Sequence, residues 1–286
     1  MRTGSDPTRR LTHWISDGTT SHALPPSTLM AWSLPDFAYV KYGRNPLVAV
    51  IAQVRFHPIL KIEKEYAGFQ DRVRQQFPRF GIGNIQDVRV DFKGAQVSQR
   101  REFRFDTLDQ KMTITLSPTS LSLISRAHES RKEFGKAMQL AIESLAAEYG
   151  QVVGTRLGLR YINHVSRERI AEDLGREVAW SHLIHSDFLR LPRDLSDLEG
   201  THYVMEARST MTRGDLTLRY GLIQEEPGRE VFFRLDSDRY LAEEFNASDT
   251  QEMLSEFSQD IYAVFRAAAT PGLEEWMEPQ AGSEDV

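Results

Sequence analysis

Arg160, Asn163 and His164 are side chains of the kind that build sites, and they occur within a short segment near the middle of the chain, LGLRYINHVS, residues 157–166. An arginine such as Arg160 can clamp a carboxylate or a phosphate through two hydrogen bonds, with His164 beside it. Asn163 adds an amide, and all three are candidate binding residues. The favoured alternative for Arg160 is a structural ion pair with an acid such as Asp236, which requires no ligand.

The alternation of side chains in this segment predicts a strand. In a regular strand, Arg160 and His164 lie on one face with Ile162, whereas Tyr161 and Asn163 lie on the other. The candidate residues are therefore expected on both sides of a sheet.

Two groups of residues raise the question of a metal ion. His182 and His185 lie on one face if the segment is helical, and with Asp236 they form a candidate metal set. Their spacing matches no strong zinc pattern, so surface histidines are favoured. Asp236 and Asp238 form a D-x-D pair suited to Mg²⁺ if the strand continues through both, but aspartates of a turn are favoured. We therefore predict no metal and no cofactor.

Basic residues are concentrated between positions 72 and 104, where eight occur. If they point outward from a sheet, they can contact a nucleic-acid backbone, and Arg89, Arg101 and Arg104 are candidate binding residues for it. Acidic residues are interleaved with them, which favours an internally neutralised, solvated face.

No sequence signature of a reaction is present. The chain lacks the GK[ST] end of a phosphate loop and the G-x-S-x-G nucleophile elbow. The segment GIGN at 81–84 is interpreted as a turn after Pro78. A non-enzyme is therefore favoured.

The elements that must position these residues follow from periodicity. PLVAVIAQVRF at 46–56 is typical of a strand buried on both faces, and residues 57–80 predict an amphipathic helix. Four alternating segments follow, and Ser130 with Glu133 forms a capping box that starts a long helix. After this helix the same order recurs: the strand LGLRYINHVS, three further strands, and a last helix capped by Ser248.

This recurrence predicts an α+β fold of two topologically similar halves, each an antiparallel sheet packed by a long helix. We divide the chain into a flexible lead-in (1–30), a first α+β half (31–150), a second α+β half (151–271) and an acidic C-terminal tail (272–286). The internal duplication is inferred from topology, because sequence identity between the halves is slight.

Composition limits the protein class. The 286 residues are 40% hydrophobic and 27% charged, which is typical of a soluble globular protein. No apolar run is long enough to span a bilayer, and the first residues lack a secretory h-region. There are no cysteines, so a cytoplasmic location is expected. Most of the net charge of -6 comes from the acidic tail, so no chain-wide basic field exists to attract nucleic acid.

Four segments carry a resemblance to a known family: NPLVAVIAQVRFHPI, LGLRYINHVS, FFRLDSDRY and LSEFSQDIYAVFRAAATPGLEEWM. In this order they resemble a sporadically distributed, uncharacterised bacterial family of about this length with a central GLRYIN-like strand. The resemblance covers roughly residues 45 to 277, and it implies a bacterial source but no catalytic residues. The chain departs from the family in a longer lead-in and in the absence of an acidic residue from VAVIAQVRF.

The predicted function is that of a non-enzymatic binding or adaptor protein. It would hold a protein partner through its sheet surface or the gap between the halves. The alternative is a nucleic-acid-associated component of a bacterial defence or toxin–antitoxin system. No membrane partner is expected, and the oligomeric state is left open.

Overall fold

The computed structural model of the chain describes residues 34–91, 94–127, 130–189, 202–226 and 229–280. The predicted lead-in at 1–30 lies outside these ranges. The chain divides into two compact units. Ala31–Gly83 and Glu102–Val286 form the larger unit, which contains the described helices. Asn84–Arg101 belongs to the other unit and contributes the remaining parts of two strands, for which side chains at 84–91 and 94–100 are not described.

One antiparallel sheet dominates the fold, so the predicted α+β class is confirmed. Its ten strands are β1 (Leu47–Phe56), β2 (Arg79–Asp91), β3 (Gly94–Asp106), β4 (Met112–Ser117), β5 (Ser120–Ser125), β6 (Val153–Ser166), β7 (Met205–Thr210), β8 (Asp215–Ile223), β9 (Phe232–Leu241) and β10 (Phe245–Asn246). Their order is β2-β3-β4-β5-β1-β6-β9-β8-β7, with β10 paired to β6. The predicted duplication into two similar halves stays a prediction. The strands assigned to the two halves belong to one sheet, in which β1 pairs with β6.

Six α-helices accompany the sheet in the described ranges: α1 (Ala67–Val73), α2 (Arg131–Tyr149), α3 (Arg167–Leu174), α4 (Trp180–Leu183), α5 (Thr250–Ala268) and α6 (Pro271–Met277). The capping box at the start of α2 is confirmed, because the Ser130 side chain accepts a hydrogen bond from the Glu133 backbone N–H. The N-cap predicted at Ser248 is wrong. Asn246 caps a 3-10 turn at Ala247–Asp249, and α5 continues directly from it.

Both hydrophobic core clusters lie on one face of the sheet. In the first cluster, Val50, Ala52 and Val54 of β1 pack with residues of α1, α2 and α5. In the second, Val165 of β6 and Phe233 of β9 pack with residues of α3, α5 and α6. Burial on this face is the main stabilising contribution to such a fold.

The amphipathic helix predicted over 57–80 is interrupted in the structure. It consists of a 3-10 turn at Leu60–Glu63 and the short helix α1. The apolar positions still reach the core, since Ile62, Phe69 and Val73 are fully buried. The turn predicted for GIGN is also wrong, because residues 81–84 lie within β2.

The first part of the predicted acidic tail has regular structure. Pro271 occupies the first turn of α6, and Leu273, Trp276 and Met277 of this helix are buried in the second core cluster. Residues 281–286 lie outside the described ranges. Across the part of the chain that is described, no helix is both long and apolar enough to cross a membrane.

The one-sided core predicts a sharp difference between two leucines. Leu123 of β5 is fully buried, whereas Leu108 is 70% exposed. We expect Leu123→Ala to lower the free energy of unfolding by about 2–5 kcal/mol, because it leaves a cavity. Leu108→Ala serves as the matched control and should change it by less than about 0.5 kcal/mol. Urea unfolding measures both, and equal losses would contradict this assignment of the core.

Candidate functional site

The face of the sheet opposite the core carries charged and polar side chains, and we call it the polar face. The strand registers place its members side by side across the sheet. They are Gln53, Arg55, Arg104, Asp106, Arg156, Arg160, Glu206, Arg208, Arg219, Asp236 and Asp238. The apolar side chains of Ala49, Ile51 and Ile162 lie among them and are only 4–6% exposed.

Arg160 forms the central ion pair of the polar face. Its Nε lies 2.7 Å from Asp236 Oδ1 and its Nη2 lies 2.5 Å from Asp236 Oδ2. The two side chains are 16% and 5% exposed. The ion pair predicted between Arg160 and Asp236 is therefore confirmed, with two hydrogen bonds from the guanidinium to one carboxylate.

Asp238 extends this pair into a row of alternating charge. Arg156 Nη2 lies 3.5 Å from Asp238 Oδ2, and the Arg156 guanidinium stacks over the Tyr240 ring at 4.8 Å. Burial raises the pKa of Asp238, and Asp236 adds to this, while Arg156 and Arg160 oppose it. The predicted turn at Asp236 and Asp238 is wrong, because β9 runs through both residues.

The row continues toward β7 through an acid shared by two arginines. Arg219 Nε lies 2.7 Å from Glu206 Oε2, and Arg208 Nη2 lies 2.8 Å from Glu206 Oε1. Burial alone would raise the pKa of Glu206, but hydrogen bonds from Arg208 and the charge of Arg219 outweigh it and lower the pKa. Positive and negative groups thus alternate from β6 to β7.

The predicted arginine-rich surface is only partly described. The Arg89 side chain lies outside the described residues, and Arg101 is exposed. Arg104 forms an ion pair with Asp106, with 2.8 Å between Nε and Oδ2. Burial raises the pKa of Glu102 to about 7, although Arg104 opposes this shift. Arg104 is therefore neutralised locally, as the interleaved acids suggested.

His164 lies at the margin of the polar face, where Phe232 and Arg234 hold its ring. The ring stacks on Phe232 at a centroid distance of 4.1 Å, and Nε2 lies 3.0 Å from Arg234 Nε. Burial and the Arg234 charge lower the pKa of His164 to about 3, so the imidazole is neutral and accepts the hydrogen bond. Together with Ser166 and Arg169, it lines a cavity of about 220 Å³.

Asn163 lies on the opposite face, as predicted. It is 5% exposed, and its Nδ2 lies 3.5 Å from the Leu235 carbonyl oxygen. It lines a second cavity, of about 100 Å³, whose walls include Tyr39, Tyr161 and Tyr262. The structure therefore does not bring Arg160, Asn163 and His164 into one site.

The candidate metal set is not assembled. His182 Nε2 lies 3.3 Å from Arg176 Nη2, and His185 Nδ1 lies 3.5 Å from Asp187 Oδ2. Asp236 is engaged by Arg160 on another element. Among the described residues, no group of three or more histidine and acidic side chains could hold a metal ion.

Sequence reasoning missed the most buried charged side chain among the described residues. Arg239 of β9 is 1% exposed on the core side of the sheet, where its Nε lies 2.8 Å from Asp260 Oδ2 of α5. Its guanidinium also lies over the Phe257 ring at 4.5 Å. Strand alternation was the available signal, because Arg239 shares its face with Phe233 and Leu235.

Comparison with known proteins adds no assignment to this geometry. No protein-family model matches the chain, and no curated protein is significantly similar to it. The similarity of the GLRYIN-like strand to a bacterial family therefore stays a resemblance. The residues of the polar face are assigned from their geometry alone.

The buried central pair predicts a large effect of removing one partner. We expect Arg160→Ala to lower the stability by about 3–5 kcal/mol, because it leaves the buried carboxyl group of Asp236 without its partner. Thermal unfolding should show this as a decrease of several degrees in Tm.

Two further variants test the cause of that decrease. Arg160→Met combined with Asp236→Leu removes both charges and should recover most of the loss. Arg229→Ala breaks an exposed pair with Glu226 and should leave Tm nearly unchanged. A small effect of Arg160→Ala would show that the central pair does not stabilise the sheet.

The neutral imidazole of His164 predicts a pH dependence. Its pKa in the folded protein is about 3, against an ordinary value of 6.5. Between these two pH values, His164 is protonated in the unfolded chain and neutral in the folded protein. The free energy of unfolding therefore falls as the pH decreases from about 6.5 toward 3. Urea unfolding over this range should show a shallower fall for His164→Gln, and an unchanged slope would contradict the assignment.

Proposed function

We propose that the protein is a binding protein without enzymatic activity, which holds a protein partner on the polar face of its sheet. The observation that carries the proposal is the row of alternating charges from Arg156 to Arg208. These side chains are positioned by the strand registers and by one another. A surface arranged in this way loses little conformational entropy when a partner binds.

The signs of the charges favour a protein partner over a nucleic acid. A phosphate backbone requires a predominantly positive surface. On the polar face, Arg160 lies beside Asp236, Arg219 beside Glu206 and Arg104 beside Asp106. A protein surface with charges of both signs can complement such a pattern and gain specificity from it.

The partly exposed members of the face are the groups that a partner would contact. Arg104 is 40% exposed, and Arg156 is 23% exposed over the Tyr240 ring. Arg160 and Asp236 are too buried for direct contact, and they instead join β6, the strand that carries Arg156, to β9. The proposal thus assigns direct contact with the partner to Arg104 and Arg156, and it assigns the positioning of the strands to Arg160 and Asp236.

A charge reversal on the polar face provides the test. Tagged wild-type protein should retain a second, nuclease-resistant protein from the native host, identified by mass spectrometry. Arg156→Glu, alone or with Arg104→Glu, should abolish this retention, because it places like charges against the partner.

Arg72→Glu is the matched control. Arg72 lies in α1 and is 48% exposed beside Glu148, so the same charge change falls outside the polar face and should leave retention intact. Retention that survives the polar-face variants would overturn the proposal. Retention that is lost on nuclease treatment would instead support the nucleic-acid-associated function in a bacterial defence system, with Arg101 as an exposed contact.

A further inference from the structure

Strand β7 forms one edge of the sheet. It pairs with β8 on one side, and no described strand pairs with its other side. Five of its six residues are exposed, and so is Val204 directly before it. An edge of this kind presents unpaired backbone groups that can bind a further strand.

The hydrogen bonds with β8 determine which backbone groups point outward. The Tyr203 N–H donates to the Leu222 carbonyl, and the Met211 N–H donates to the Gly214 carbonyl. Odd-numbered residues of β7 therefore direct their backbone groups toward β8. Because successive residues alternate, Glu206, Arg208 and Thr210 direct theirs outward.

The charges along this edge are complementary to the same edge of a second copy. If two β7 strands pair antiparallel about a two-fold axis at Ala207, Glu206 lies opposite Arg208 of the second copy, and Arg208 lies opposite its Glu206. Both pairs join residues whose backbone groups point outward, so they also form the hydrogen-bonded pairs of the ladder. The small side chain of Ala207 stands on the axis, where the two strands approach most closely.

Neighbouring registers are unfavourable for identifiable reasons. An axis at Glu206 or at Arg208 places identical charges directly opposite each other. If the two-fold axis lies between two residues, each residue whose backbone groups point outward lies opposite a residue whose groups point toward β8. The hydrogen-bonded ladder then does not form. The sequence of β7 thus favours the axis at Ala207 over these neighbouring axes.

We infer that two copies of this chain associate through β7 into a symmetric dimer with a sheet continuous across the two-fold axis. The interface is isologous, as in most homodimers. Charged residues on an edge strand ordinarily discourage pairing with other chains. Here the order of Glu206 and Arg208 opposes pairing with unrelated strands, but it places opposite charges together when two identical strands pair.

Sedimentation equilibrium of the purified protein tests the inference without any other partner. The wild-type chain should be a dimer. Arg208→Glu should be a monomer, because it places two carboxylates opposite each other in each half of the interface. Arg229→Glu, an exposed arginine outside β7, is the matched control and should remain dimeric.

Mixing two variants gives the decisive result. Glu206→Lys alone should also be monomeric, because it opposes two cations, whereas an equimolar mixture of Glu206→Lys and Arg208→Glu restores opposite charges in both halves. The mixture should form a heterodimer, and circular dichroism should show both variants folded. A wild-type monomer, or a dimer that survives Arg208→Glu, would overturn the inference and leave the proposed polar-face function untouched.

Discussion

The ion pair between Arg160 and Asp236 is the interaction on which the arrangement of the polar face depends. It joins β6 to β9 at the centre of the sheet with two short hydrogen bonds, and both side chains are largely removed from water. A charge in such a position requires its partner, since desolvation of either group alone is costly. From this pair toward β7, the neighbouring arginines and acids then alternate in sign.

The opposite face follows a different constraint, because strand alternation directs every second residue of β6 into the core. Arg239 is the charged residue on the core side of β9, and Asp260 of α5 compensates its charge. This contact joins the helix to the sheet at a fixed point. Among the described residues, each side of the sheet therefore carries a largely buried arginine that is paired with an aspartate.

Much of this arrangement could be predicted from local patterns. Alternation identified β6 and its two faces, the Ser130 capping box identified the start of α2, and a carboxylate partner was assigned to Arg160. Contacts between distant segments could not be read in this way. The pairing of Arg239 with Asp260 depends on where α5 packs, and the interruption before α1 reflects tertiary packing that overrides helical periodicity. The separation of Asn163 from His164 was predictable, whereas their two cavities depend on the segment at Asn45–Leu47, which lines both.

The alternation of β6 also limits which changes of chain length the protein can accept. An insertion or deletion of one residue between Arg156 and Val165 would turn every later side chain to the other face of the sheet. Leucines would then face the charged row, and an arginine would enter the apolar core. Insertions or deletions of an even number of residues keep each side chain on its face of the sheet, but they change which residues of β1 and β9 lie opposite it. Length variation is therefore expected in the connections between strands and not within this central strand.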